Sequence, residues 1–158
     1  MTALTLANLL GKPAYGNDFD LDGALESCKK ATGASSAIGV GRIFFITDST
    51  GIAAIATSGS TGRMGVVPAI FGGKHTDSDA QFFGVTRAGA EIYIESSGVI
   101  KQGARVAPDT GGKGKQATGT ITDDNAPFVY MGHYGEGTGT GNPPTDAANG
   151  DPIRVRLV

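Results

Sequence analysis

Charge is scarce in this chain. Of its 158 residues 13 are Lys or Arg and 15 are Asp or Glu, so 18% are charged and the formal net charge is −2; about 25% is usual. The cations fall singly or in pairs, and the densest cluster, Lys113 with Lys115, reads as part of a solvated loop. Such a distribution lacks the positive field that nucleic acid or an anionic membrane surface requires, so neither is an expected partner. Cysteine is limited to Cys28, which excludes an internal disulfide and fits synthesis in a reducing cytoplasm. Two distant histidines, His75 and His133, with that one cysteine are too few ligands for a Cys/His zinc site, and neither metal nor cofactor is expected. No apolar run approaches the roughly 18 residues needed to span a bilayer. The stretch Met1 to Leu10 has no basic segment ahead of its leucines and does not read as a secretory signal.

Glycine is abundant instead, at 26 residues with 7 prolines, close to the border of low complexity. An apolar content of 39%, with runs such as Ile43-Phe44-Phe45-Ile46, argues for a folded core broken by many turns. Length alone fits one domain. Residues 1–20 form an extended N-terminal arm whose Leu4, Leu6, Leu9 and Leu10 need a dry partner, either the chain's own core or a neighbouring subunit. Residues 22–32 carry helix signals: Asp22 as cap, Leu21, Leu25 and Cys28 near one face, and Gly33 as stop.

From residue 37 the hydrophobic period becomes two. Strands are predicted over 38–47, 52–57, 65–71, 80–86, 90–95, 98–107, 117–122, 127–134 and 152–158, with 48–51 as a hairpin turn. Ile153, Val155 and Leu157 alternate with Arg154 and Arg156 in the cleanest of them. The expected fold class is mainly β, a small β-sandwich or β-barrel with one short α-helix, over a single domain at 21–158. The stretch 135–150 holds no aliphatic side chain larger than alanine and is expected to be a long exposed loop outside the core.

Fragments that imitate catalytic or binding signatures each fail on a stated point. Asp18-x-Asp20-x-Asp22-Gly23 opens like a calcium loop, but its twelfth position is Lys29 rather than a bidentate glutamate. Asp109-Thr110-Gly111 spells the aspartic-protease triplet, yet Pro108 interrupts the strand before it and Gly112-Lys113-Gly114-Lys115 follows, so a glycine-rich turn is expected. The Gly-Lys pairs lack the following Ser or Thr of a phosphate loop, and there is no Gly-x-Ser-x-Gly elbow. His75 and His133, as lone histidines, read as structural or solvated, and no enzyme is expected. Tyr130 shares a strand face with Phe128 and reads as core or interface, with Tyr130 and Tyr134 as a possible surface contact.

The second half carries a recognisable layout. Gly84-Val85-Thr86-Arg87-Ala88-Gly89-Ala90 leads to a strand. Gly98 through Gly112 follows, then Val129-Tyr130-Met131-Gly132, and finally Ala148-Asn149-Gly150-Asp151-Pro152-Ile153-Arg154-Val155-Arg156-Leu157. Over residues 80–158 this order resembles the small β-rich decoration, or cement, proteins of tailed-phage capsids. The departures are the Gly/Thr/Pro loop at 135–150 and the first half of the chain. The resemblance implies a virion structural protein, made in the host cytoplasm, that binds the major capsid protein on the outer surface of the head and stabilises it as a homo-oligomer, trimer or dimer. Leu4, Leu6, Leu9, Leu10, Tyr15 and Phe19 are then the expected capsid or inter-subunit contacts. The alternatives are a phage tail or baseplate structural protein, or a carbohydrate-binding β module using Tyr130 and Tyr134.

Overall fold

A computed structural model describes residues 9–11, 41–47, 50, 52–67, 88–137 and 141–158, together with the backbone of 25–30 and 82–86. Ten strands form two sheets: β1 (Leu25–Lys30), β2 (Ile43–Thr47), β3 (Ile52–Ile55), β4 (Met64–Val66), β5 (Phe82–Thr86), β6 (Glu91–Glu95), β7 (Arg105–Asp109), β8 (Lys113–Gln116), β9 (Phe128–Gly132) and β10 (Pro152–Leu157). The first sheet runs β4-β2-β3-β1-β5 and the second β6-β10-β9-β7-β8. All pairings are antiparallel except β1 with β3. The fold is mainly β, as the two-residue period requires.

Alternation sets the faces. Ile92 and Ile94 of β6 lie opposite Val155 and Ile153 of β10, and Phe128 and Tyr130 of β9 continue the same layer. This layer meets Ile43, Ala56, Met64 and Val66 from the first sheet in one buried cluster, the core of a small sandwich. Phe44 and Ile46, one residue out of phase with Ile43 and Phe45, form a second buried cluster with Ala53 and Val67 on the other face of the first sheet. β2 and β3, the strands that flank the predicted turn, pair antiparallel with Thr47 opposite Ile52.

The second sheet curls until its edge strands meet. Ser96, just past β6, bridges in parallel to Gly114 of β8, and Ser97 N donates to Gly114 O at 2.6 Å. A Cβ on Gly114 would stand 2.7 Å from both Ile94 Cδ1 and Val106 Cγ1, so the missing side chain lets the two edges approach over the core. Between β7 and β8 a single 3-10 turn, Thr110–Gly112, rests on the first sheet. Gly112 N donates to Ala56 O at 3.1 Å.

Three sequence expectations are corrected. The helix over 22–32 is not formed across its centre, because Leu25–Lys30 is β1, an inner strand paired with β3 on one side and β5 on the other. Pairing along both edges overrides the local capping and helix signals. The strand expected at 117–122 lies instead at Lys113–Gln116, so Lys113 and Lys115 belong to β8 rather than to a solvated loop. Lys113 pairs with Glu95 at 2.7 Å and Lys115 with Asp109 at 3.4 Å. The stretch 135–150 is not wholly outside the core, because Ala147 is buried in the main cluster and exchanges backbone hydrogen bonds with Ile100.

Gly112 adopts φ +73°, and a Cβ there would lie 2.9 Å from the backbone N and O of Ile43. Gly112→Ala therefore adds left-handed strain to a clash with backbone that cannot rotate away. The expected loss is roughly 2–4 kcal/mol, read as a lowered midpoint in thermal or urea unfolding. Gly119→Ala, at φ +74° with open space around it, is expected to lose less.

Candidate functional site: the His133 clamp and the outer face of the second sheet

β9 ends at Gly132, whose φ of +108° turns the chain out of the sheet. A Cβ there would press on Glu136 and Pro144 at 3.1–3.3 Å, so the residues that follow fold back tightly over the strand end. The Glu136 carboxylate accepts from His133 N at 2.8 Å, Thr145 N at 3.0 Å and Thr145 Oγ1 at 2.6 Å. Burial pushes the Glu136 pKa up, but the hydrogen bonds from His133 and Thr145 outweigh it and hold the group at about 2. Gly137 N donates to Asn142 O at 2.8 Å, tying the two ends of the loop tip.

The His133 ring sits between two carboxylates. Nε2 is 2.9 Å from Asp151 Oδ2 and Nδ1 is 3.2 Å from Glu136 Oε2. Nδ1 also lies 3.1 Å from Tyr130 Oη and 3.3 Å from Thr145 Oγ1. The Tyr130 hydroxyl donates to Thr145 O at 2.9 Å. Its pKa is raised by burial and by the charges of Glu136, Asp151 and Asp146, so the phenol keeps its proton. Asp151 Oδ2 accepts from Ala148 N at 2.7 Å. These groups are committed to one another, and the arrangement clamps residues 133–137 and 144–151 to the ends of β9 and β10.

Beside the clamp, on the outer face of the second sheet, a groove of about 420 Å³ is lined by Glu91, Met131, Gly137, Pro144, Arg154 and Arg156 among others. Arg156 Nε and Nη2 both bond Glu91 Oε1, at 2.9 and 2.5 Å, across the β6–β10 pair. Pairing of β10 with β9 shifts register between Arg154 and Val155, leaving Met131 as the extra residue of a bulge. Arg154, 3% exposed, donates from Nη2 to the carbonyl of that residue at 2.8 Å. A Cβ on Gly137 would come within 2.5 Å of the same Nη2, and the backbone there has φ +107°, so glycine suits this close pass over the guanidinium. Among the described residues no group of three or more His, Cys, Asp or Glu side chains could hold a metal ion, and no helix is long and apolar enough to cross a membrane.

The sequence-predicted contact residues fall in different places. Leu9 is buried within the chain, Leu10 packs over Gly41, and Gly11 N donates to Tyr93 O at 2.8 Å, so this short segment is part of the body of the protein. Leu4, Leu6, Tyr15 and Phe19 lie outside the described residues, as do His75 and the Asp18-Asp20-Asp22 run. Tyr130 belongs to the core and offers no surface, whereas Tyr134 is 58% exposed with its ring 6.4 Å from that of Tyr93. Asp109 closes β7, accepting from Ser97 Oγ at 2.6 Å, and that bond foremost holds its pKa below the ordinary value. Sequence reasoning missed the pairing of His133 with Glu136 and Asp151. The available signal was a histidine and a glutamate three apart just after a strand-ending glycine.

Glu136 gives the clamp an acid limit. A carboxylate held at about 2 contributes stability that is fully present above its ordinary 4.5 and is lost as the pH falls toward 2. Amide protection at His133 and Thr145 is expected to decline through that window. In Glu136→Gln the decline flattens, and the variant is less stable at neutral pH by about 1–3 kcal/mol.

No protein-family model and no curated protein matches the chain, so the clamp and groove are interpreted from their own geometry.

Proposed function

We propose that the protein is a virion structural protein that binds the outer surface of an assembled tailed-phage capsid and stabilises it against internal pressure. In this reading it acts as a homo-oligomer on the major capsid protein and catalyses no reaction. One observation carries the proposal: two of the segments on which the resemblance rests, those opening at Gly98 and at Ala148, are laced together beside Ser96, with exposed apolar side chains near by. Ser96 N donates to Asp151 O at 2.9 Å, Gly150 N to Ser96 O at 3.0 Å and Gly98 N to Asn149 Oδ1 at 2.9 Å, lacing the 96–98 turn to the 148–151 turn. Val99 follows one side of this unit and Tyr134 adjoins His133 on the other. At 60% and 58% they are the most exposed large hydrophobic side chains among the described residues.

A hydrogen-bonded pair of turns with exposed apolar side chains near by suits a protein that binds a formed lattice. Binding assembled capsid in preference to free subunits stabilises the assembly by mass action. An oligomer multiplies weak contacts because each further one is intramolecular.

The test is co-sedimentation of the purified protein with assembled heads and with unassembled capsid subunits of the phage that encodes it, with a labelled copy imaged on the particle. Binding to heads and label over the head surface are expected. The Val99→Asp, Tyr134→Ala double variant should bind about tenfold or more weakly. Deleting residues 2–8, which spares buried Leu9, should weaken binding while keeping the far-UV β signature. Label confined to the tail would favour the tail or baseplate reading, and absence of binding to any part of the particle would overturn the proposal.

A further inference from the structure

The hydrogen atoms around His133 can be assigned by elimination. Tyr130 Oη has the carbonyl of Thr145 at 2.9 Å, which can only accept, so the hydroxyl hydrogen goes there. Thr145 Oγ1 has the Glu136 carboxylate at 2.6 Å, which also only accepts, and the threonine hydrogen is spent on it. Every neighbour of Nδ1, namely Glu136 Oε2, Tyr130 Oη and Thr145 Oγ1, therefore presents a lone pair. At Nε2 the neighbour is Asp151 Oδ2, again a lone pair. A neutral imidazole has one N–H and would leave its other nitrogen facing acceptors, whereas the doubly protonated ring donates on both sides.

We propose that His133 is a proton-operated pin, which fastens residues 133–137 and 141–151 to β9 and β10 when both ring nitrogens carry hydrogen and releases them when one is lost. The groups facing the ring from each packed element support this sign. β9 contributes Tyr130, the loop Glu136 and Thr145, and the residue entering β10 is Asp151. Asp146 and Arg154 lie in the field that also acts on Tyr130. Asp146 is engaged by Lys101 at 2.7 Å, and Arg154 donates to Met131 O, so both are held by groups other than the ring. The fastening by the ring lasts only while both nitrogens carry hydrogen. Gly137 and Pro144, carried on the pinned loop, line the 420 Å³ groove, so release of the pin also frees part of that wall.

The test follows the His133 Cε1 proton and amide exchange, corrected for intrinsic rates, in one NMR sample across the pH range. Protection at His133 and Thr145 is expected to fall about tenfold or more as the ring loses its proton, while amides of β2 are unaffected. His133→Gln, which does not titrate, is expected to abolish the step. Asp151→Asn leaves one carboxylate on the ring and should move the step to lower pH, which keeps the test intact should His133→Gln fail to fold. Protection that ignores the ring's titration, a step that survives His133→Gln, or a step unmoved by Asp151→Asn would overturn the proposal.

Discussion

The second sheet depends on the backbone and hydroxyl of Ser96. This residue is fully buried at the point where β6 leaves the sheet, and each of its polar groups has a partner. Its amide donates to Asp151, its carbonyl accepts from Gly150, and its hydroxyl donates to Ala148 O while accepting from Asp151 N. Its other side bridges to Gly114, which closes β6 against β8. One small residue thus joins three segments distant in sequence. A larger side chain there would take from the 148–151 turn the hydroxyl that bonds Ala148 O and Asp151 N. The start of β10 inherits its position from this junction, and with it Asp151, the outer partner of His133.

The few charges are spent at places where hydrophobic contact cannot serve. Glu95, 8% exposed, takes Arg42 at 2.7 Å from beside the first sheet and Lys113 at 2.7 Å from β8. Burial raises its pKa, but hydrogen bonds from Lys113 and Arg42 outweigh that and hold it ionised below the ordinary range. Breaking one member of such a shielded set leaves an uncompensated charge and costs far more than losing a surface pair. Lys101 with Asp146 is the contrasting case, an exposed pair whose value lies in where it puts the 146 backbone rather than in its own energy. Charge here fixes the geometry of sheet edges and loop ends.

Periodicity exposed the strands that have one dry face. Ile92 with Ile94, and Ile153 with Val155 and Leu157, announce β6 and β10 because burial on one side forces alternation. It failed for β8, Lys-Gly-Lys-Gln, which has no apolar side chain and exists because Val106 to Asp109 offer it a ladder. It failed again at 25–30, where spacing that suits a helix is overruled by two strand partners far along the chain. The 135–150 stretch looked solvated because its described ends are held by hydrogen bonds, and a scan for apolar residues does not register Glu136, Thr145 or Asp151 as anchors. His133 looked isolated for the same reason, since Asp151 reaches it only through the junction at Ser96.

The glycine excess acquires a specific meaning from these contacts. At Gly112, Gly114 and Gly137 the missing Cβ is replaced by the backbone of Ile43, the side chains of Ile94 and Val106, and the guanidinium of Arg154. In an unfolded chain such residues are a liability, because glycine loses more conformational freedom on folding than any other. Here that loss is offset by close approach, which lets turns without large aliphatic side chains pack directly against the sheets. A surface already ordered in this way has little conformational entropy left to lose when it meets a partner. The clamp around His133 extends the same close fit to Glu136, Thr145 and Asp151, which reach the end of β9 through hydrogen bonds rather than apolar contact.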